Sequence, residues 1–397
     1  MGGERRKVAS FIRFDKQYDL IMSHLPLVKP EEVGLDPQRL QSAYDLLEKW
    51  TAEGVIPGGA IAVGRRGKLV ESRYFGRQGP DADAPPIRRD GMFLLASLTK
   101  PIVYLGAMML VERGLLSLSR PVTDYLPEFA AQHKGATLVQ QLFTHTSGLP
   151  DMLKNNEELR RQHAPLETFI ASTIREAVPL FPPGTGYSYQ SMGTLIVAEL
   201  VQKLTGLTIH DFLRQEIFEP LGLASSSLGS RGLPAETLER IVSVQTQASH
   251  DPSFHWNSQY WRELGSPWGG MFSTPKDFAV LCQLMLNGGQ YGNVQLVSPR
   301  TVELMTTNRM DDHPDVPEPI RRSRPWGLGW SLNHRQHDDV LCDVLGPHIY
   351  GHIGATGTLF WVDPQTEGFC IIFTSGERTR GPWRLVALSS AVGAAFL

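Results

Sequence analysis

The sequence predicts an α+β fold in which a lobe of sheet and helix, discontinuous along the chain, encloses an all-helical insertion. Three observations carry this. Strand-like runs lie early, at residues 59–63 and 69–75. Helical patterns dominate residues 96–265. Strand character then returns in the last eighty residues, at 326–332, 358–362 and 369–374. Strands at both ends with helices between them call for one sheet assembled from distant segments. With 397 residues, 41% hydrophobic and 20% charged, the chain can bury a core of that size.

Element by element, residues 1–28 show little periodicity and read as an N-terminal extension. Residues 29–397 form the domain, with the sheet-containing lobe at about 29–95 and 270–397 and the helical lobe at about 96–269. Residues 30–50 read as a helix with Leu40, Tyr44, Leu46 and Leu47 on its apolar face. The two early strand runs are joined across Arg65-Arg66-Gly67, which suggests a hairpin. In the middle, Leu195, Ile196, Ala198, Leu200, Val201 and Leu204 repeat with helical spacing and stop at Gly206. Thr274-Pro275-Lys276-Asp277 opens another helix, with a capping hydroxyl, proline at the first position and an acid at the third. That helix runs through Leu281, Leu284 and Met285 to Asn287-Gly288-Gly289. A last helix begins near Trp383.

Composition removes several function classes. The 38 basic and 41 acidic residues give a net charge of −3, so nothing global attracts nucleic acid or anionic lipid. Three cysteines, Cys282, Cys342 and Cys370, have no metal or redox spacing and suit a reducing compartment. After Arg5-Arg6-Lys7, Ser10 and Arg13 interrupt the apolar run that a signal peptide requires, so the expected location is cytoplasmic. Residues 93–111 are apolar enough to attract a hydropathy scan, but Lys100-Pro101 sits near their middle. There is no Walker A string, dinucleotide fingerprint or Gly-x-Ser-x-Gly elbow. No cofactor or metal is expected, and the expected partner is a small-molecule substrate.

Ser97-Leu98-Thr99-Lys100 opens a strongly apolar helix that continues through Ile102, Val103, Leu105, Met108 and Leu110. Residues three apart share a helical face, so Ser97 and Lys100 can touch. Pro101 belongs in a first turn, which puts Ser97 at or near the helix N-terminus with its free N–H groups. Apolar surroundings disfavour an ammonium ion, and a neutral amine beside a hydroxyl is a base beside a nucleophile. A helix cap beside a solvated lysine would leave the same pattern. Further along, a turn-rich segment at 182–191 places Tyr189 just before a helix, where it could relay a proton or simply pack on the core. The glycine-rich run Gly351-His352-Ile353-Gly354-Ala355-Thr356-Gly357 precedes a strand and permits close backbone approach to a ligand, or is a plain turn.

Five strings in order, LLASLTKPI (94–102), LFTHTSGLP (142–150), PPGTGYSY (182–189), GGMFSTPKDF (269–278) and GHIGATG (351–357), resemble the serine β-lactamase and penicillin-binding-protein superfamily. Within it the pattern is most similar to the class C β-lactamase-like branch that includes family VIII carboxylesterases. The resemblance implies an antiparallel sheet flanked by helices beside a helical insertion, with the site between the lobes. It implies Ser97 as the acylated nucleophile, Lys100 and Tyr189 as general base and acid, and the backbone N–H groups of Ser97 and Ala355 as oxyanion hole.

Two departures bear on substrate. Where the family's β-lactamases have Tyr-x-Asn, this chain has Tyr189-Gln190-Ser191, and where they have Lys-Thr-Gly it has His352-Ile353-Gly354. Ser191 lacks the amide that would hold a β-lactam side chain, and histidine, with an ordinary pKa of about 6.5, is a weaker cationic handle for a carboxylate. Both changes favour a neutral ester, with Ser191, His352, Gly354 and Trp268 as substrate-binding residues. The aromatic stretch at 254–268, with Trp256, Tyr260, Trp261 and Trp268, could wall an acyl pocket or pack under a loop. The expected activity is a serine carboxylesterase, with weak β-lactamase or acyltransferase side activity. The alternatives are a β-lactamase or D,D-peptidase and a catalytically silent scaffold. The polar run at 334–339, which holds two histidines and two aspartates, is weighed as a metal cluster and set aside.

Overall fold

The computed structural model describes residues 24–246, 255–336 and 340–397. Most of the predicted extension, residues 1–23, and part of the run at 334–339 lie outside them. The main sheet has strands β1 (Leu27–Val28), β2 (Gly58–Arg65), β3 (Lys68–Val70), β4 (Arg73–Gly76), β5 (Ser331–Leu332), β6 (Tyr350–Gly354), β7 (Thr358–Asp363) and β8 (Gly368–Thr374). Their order is β1-β3-β2-β8-β7-β6-β5, with β4 also paired to β2. All neighbours are antiparallel except β1 and β3. The sheet therefore starts two residues inside the stretch read as an extension.

Period-two alternation divides the core. From β2, Ala60 and Ala62 face one side while Ile61 and Val63 face the other. From β8, Phe369, Ile371 and Phe373 join the first side while Cys370 and Ile372 join the second. The second face is covered by α1 (Pro37–Ala52), through Leu40, Tyr44, Leu47 and Trp50, and by α6 (Trp383–Gly393), through Leu385, Leu388 and Val392. The first face is covered by α5 (Pro275–Leu286) and continues into the helical lobe. There α2 (Thr99–Glu112) and α3 (Leu166–Arg175) both pack on α4 (Ser191–Thr205). Helix α2 is apolar all round because it is buried all round, its residues 99–110 being enclosed.

The end signals act as expected at two helices. Thr274 Oγ1 accepts the Asp277 N–H at 3.2 Å with Pro275 at the first position, and α4 stops at Gly206 with φ of 74°. Two expectations need correction. The helix expected at 30–50 is broken: Pro30–Val33 is a single tight turn, Gly34 takes φ of 70°, and Asp36 caps a new start by accepting from Gln38 and Arg39 N–H. Acidic capping at Asp36 followed by Pro37 was the stronger start signal. The strand expected at 326–332 shrinks to Ser331–Leu332, because Gly329 (φ 83°) turns the chain against Tyr104.

Arg65, buried at the end of β2, ties the Gly34 turn to the segments at Thr366 and Leu397. Its guanidinium donates to the carbonyls of Thr366 (3.0 Å), Leu397 (2.9 Å) and Gly34, and lies 5.6 Å from the Phe396 ring. Arg65→Leu leaves three carbonyls without this donor and is expected to cost about 2–4 kcal/mol, read as a lower denaturation midpoint.

Candidate active site

The nucleophile candidate stands at a backbone strain point. A three-stranded sheet of Phe93–Leu94, Met271–Ser273 and Ser227–Leu228 delivers the chain to Leu95. Ala96 then takes φ of 49°, rarely adopted by a residue with a Cβ, and the chain enters a turn of 3-10 helix (Ala96–Leu98) before α2. Thr99 Oγ1 locks this bend by donating to Ala96 O (2.7 Å) and accepting from Met271 N (3.0 Å). Ser97 is thereby left partly exposed at the helix entrance while its neighbours Ala96 and Leu98 are buried.

Lys100 is 1% exposed. Its Nζ donates to Ser97 Oγ at 3.0 Å and to the Trp268 carbonyl at 2.9 Å. The same atom lies 4.8 Å from the centre of the Tyr189 ring. Hydroxyl, amine and phenol are thus gathered into one cluster, which spacing along the chain could not establish for Tyr189. A lysine amine at this distance from a serine hydroxyl can accept its proton once it is neutral.

Tyr189 is held from behind by the 142–150 string. Ser188 N–H donates to His145 O (3.0 Å) and Gly184 N–H to Thr146 O (2.7 Å). His145, itself at φ of 60°, accepts the Gln190 N–H on Nδ1 (3.2 Å), so its proton is on Nε2 when neutral. Its ring centre is 4.7 Å from that of Tyr189 and 4.5 Å from that of Trp326. The fully buried Gln190 side chain accepts from Ser147 Oγ (2.6 Å) and donates to Gln141 O (3.2 Å) and Leu142 O (3.3 Å). His313 closes the rear of the loop through Thr144 Oγ1 (3.0 Å), and burial holds its imidazole below the usual histidine range.

The glycine-rich run forms β6 and its turn into β7. Gly354 is required by closeness: a Cβ there would sit 2.1 Å from Thr358 Oγ1 and 2.4 Å from Leu95 O. Thr356 Oγ1 donates to Leu94 O (2.6 Å) and Thr358 Oγ1 to Leu95 O (2.8 Å), stitching the turn to the segment just before Ser97. Ala355 is exposed at the tip, and its carbonyl accepts the Arg378 N–H at 2.9 Å. His352 is buried with Nδ1 2.8 Å from Ile353 O; a carbonyl only accepts, so this bond puts the proton on Nδ1. Its ring lies 6.0 Å from Tyr189.

Two expected substrate-binding residues have other engagements. Ser191, the first residue of α4, gives both its N–H (2.9 Å) and its hydroxyl (2.6 Å) to Asp151 Oδ1. The Trp268 ring packs against Phe169 and Trp261 and is 3% exposed, so it is the Trp268 carbonyl, not its indole, that meets the cluster. Of the aromatic stretch, Trp261 is also buried, and Arg160 lies 4.7 Å over its ring. Burial lowers the Arg160 guanidinium to about 10, still charged at neutral pH. Asp151 and Arg160 carried no sequence signal as site neighbours, although Asp151 directly follows the 142–150 string. Among the described residues no group of three or more His, Cys, Asp or Glu could hold a metal ion.

A family model described as Beta-lactamase matches residues 43–391. The chain belongs to the Beta-lactamase family. Among curated relatives, it is 25% identical over 390 residues to a protein of Salmonella heidelberg (strain SL476) named "Putative D-alanyl-D-alanine carboxypeptidase", covering 90% of this chain and 87% of that one. Among solved structures, it is similar to a penicillin-binding protein homolog from Caulobacter crescentus, at TM-score 0.74 and 23% identity, covering 91% of this chain and 99% of the other. It is also similar to a family VIII carboxylesterase, at TM-score 0.71 and 20% identity, covering 90% and 98%. The fold of this Beta-lactamase family member is therefore the mixed sheet-and-helix fold expected from the five strings.

Proposed function

We propose that this Beta-lactamase family chain is a serine hydrolase that cleaves neutral carboxylic esters through an acyl-enzyme on Ser97. The observation that carries the reading is the Lys100 amine at 3.0 Å from Ser97 Oγ, buried and held by a backbone carbonyl. In the first half-reaction Ser97 Oγ attacks the ester carbonyl carbon as its proton passes to neutral Lys100. The carbonyl π pair moves to oxygen, in a hole made by the Ser97 and Ala355 N–H groups. Collapse expels the alcohol oxygen, which takes the Tyr189 phenol proton and leaves a Tyr189 phenolate beside the Lys100 ammonium. In the second half-reaction water loses a proton to the Tyr189 phenolate and its oxygen attacks the acyl carbon. Collapse expels Ser97 Oγ, which takes the Lys100 proton, and the acid leaves with Ser97, Lys100 and Tyr189 in their starting states.

A neutral ester is favoured over a β-lactam or a D-Ala-terminated peptide because both of those present a carboxylate. In place of a lysine the chain offers His352, whose Nδ1 proton is spent on Ile353 O. Its Ser191 hydroxyl and backbone N–H are spent on Asp151 Oδ1. The curated relatives' name favours the peptidase, and substrate choice separates the two. Side by side, kcat/KM for p-nitrophenyl butyrate is expected to exceed that for a chromogenic cephalosporin by at least about 10²-fold, since a site lacking the matching polar partners rejects a ligand by such factors. Equal or faster cephalosporin turnover would make the protein a β-lactamase, and release of D-Ala from a D-Ala-D-Ala peptide faster than ester cleavage would make it a peptidase.

A further inference from the structure

We infer that Glu377 is a positioning residue for the oxyanion hole, acting through Trp256; this rests on the reading of Ala355 given above. Glu377 follows β8 and is only 5% exposed. Its Oε1 accepts the Trp256 indole N–H at 2.6 Å, so a buried carboxylate of the sheet-containing lobe grips a tryptophan of the helical lobe.

What this bond connects gives it a role in the chemistry. One residue beyond Glu377, the Arg378 N–H donates to Ala355 O at 2.9 Å, so the backbone that carries Glu377 also holds the tip of the β6–β7 turn. On the other side Trp256 packs edge-on against Trp261 (5.7 Å), and Trp261 against Trp268 (6.2 Å), whose carbonyl holds Lys100 at 2.9 Å. A continuous run of contacts thus leads from the lysine that activates Ser97 to the residue offered as the second oxyanion donor. Nearby, Gln245 N–H donates to Ser375 O (2.7 Å), and Thr374 Oγ1 donates to Gly357 O (2.7 Å), so the segment before Glu377 is fixed to both lobes as well. The Glu377–Trp256 bond adds a part-buried side-chain tie to this link, alongside the Arg380 guanidinium on Thr246 O (3.2 Å), and with the Thr356 and Thr358 bonds to Leu94 O and Leu95 O it helps fix how far Ala355 stands from Ser97.

Transition-state stabilisation is lost steeply when a donor is misplaced, by about 10² for a shift of about 1 Å. Glu377→Ala and Trp256→Phe are therefore expected to lower kcat on p-nitrophenyl butyrate by about 10- to 100-fold, with KM changed by less than about threefold. Inhibition by an alkyl boronic acid, whose tetrahedral adduct places an oxygen in the hole, is expected to weaken by the same factor as kcat/KM. Glu377→Gln keeps an acceptor oxygen and is expected to recover to within about threefold of wild type. Rates are expressed per active site, titrated with a fluorophosphonate and located by peptide mass spectrometry, so partial unfolding does not count as lost catalysis. If Glu377→Ala fails to fold, Trp256→Phe carries the test. An unchanged kcat per titrated site in the folded variants, or a Glu377→Gln as impaired as Glu377→Ala, overturns the inference while leaving Ser97 as nucleophile. A wild-type enzyme that is not labelled on Ser97 overturns the reading of the site, and this inference with it.

Discussion

Ser97→Ala is expected to abolish ester turnover, with kcat falling on the order of 10⁴- to 10⁶-fold, the range seen when a serine nucleophile is deleted. The Ser97 hydroxyl is the group delivered to the helix entrance by the Ala96 bend and touched by Lys100. Removing it takes away the atom that bonds to substrate, while the rest of the cleft still binds and polarises the ester, so a small residual rate persists. The variant should fold normally, because Ser97 is partly exposed and the locking bonds at Ala96 are made by Thr99. Lys100→Ala is expected to approach the same loss through the lost proton acceptor, on the order of 10³-fold, within the range for general base catalysis. Matched circular dichroism and steady-state kinetics check both, and wild-type turnover in Ser97→Ala would overthrow the assignment.

Tyr189→Phe is expected to lose about 10²- to 10⁴-fold in kcat, with deacylation hit hardest. The ring sits beside the Lys100 amine, and phenylalanine preserves its packing on His145 and Trp326, so only the proton path is cut. Acylation still has Lys100 to take the Ser97 proton. Activating water has no such second group in the mechanism above, and a good leaving group such as p-nitrophenolate needs no proton. The variant should therefore show a burst of one p-nitrophenolate per enzyme followed by slow turnover, read by stopped flow. Loss of the burst together with the steady state would assign Tyr189 to acylation instead.

The fold was legible because its strands and helix ends leave strong local marks. The runs at 358–362 and 369–374 are short, continuously apolar and β-rich, as strands buried on both faces require, and the helix stop at Gly206 is a glycine in a left-handed turn. The break before Asp36 was misread because the apolar spacing continues across it. The Ser97–Lys100 pair was legible because it lies within one helical turn. The surroundings of the site were not. Asp151 reaches Ser191 over 40 residues and Trp256 reaches Glu377 over 121, and neither pairing leaves a trace in local sequence. The Trp268 indole was misplaced for a related reason: an aromatic beside a glycine pair can present either its ring or its carbonyl, and here the ring fills the core.

The most direct test of the central claim is to acid-quench the wild type and Tyr189→Phe within the first turnovers of p-nitrophenyl butyrate and analyse the peptides by mass spectrometry. A butyryl mass on the peptide containing Ser97, near stoichiometric in Tyr189→Phe and lost when Ser97→Ala is added, is the predicted result. Steady ester turnover with no acyl mass on Ser97 in either enzyme, or a butyryl group on another residue, would contradict the account.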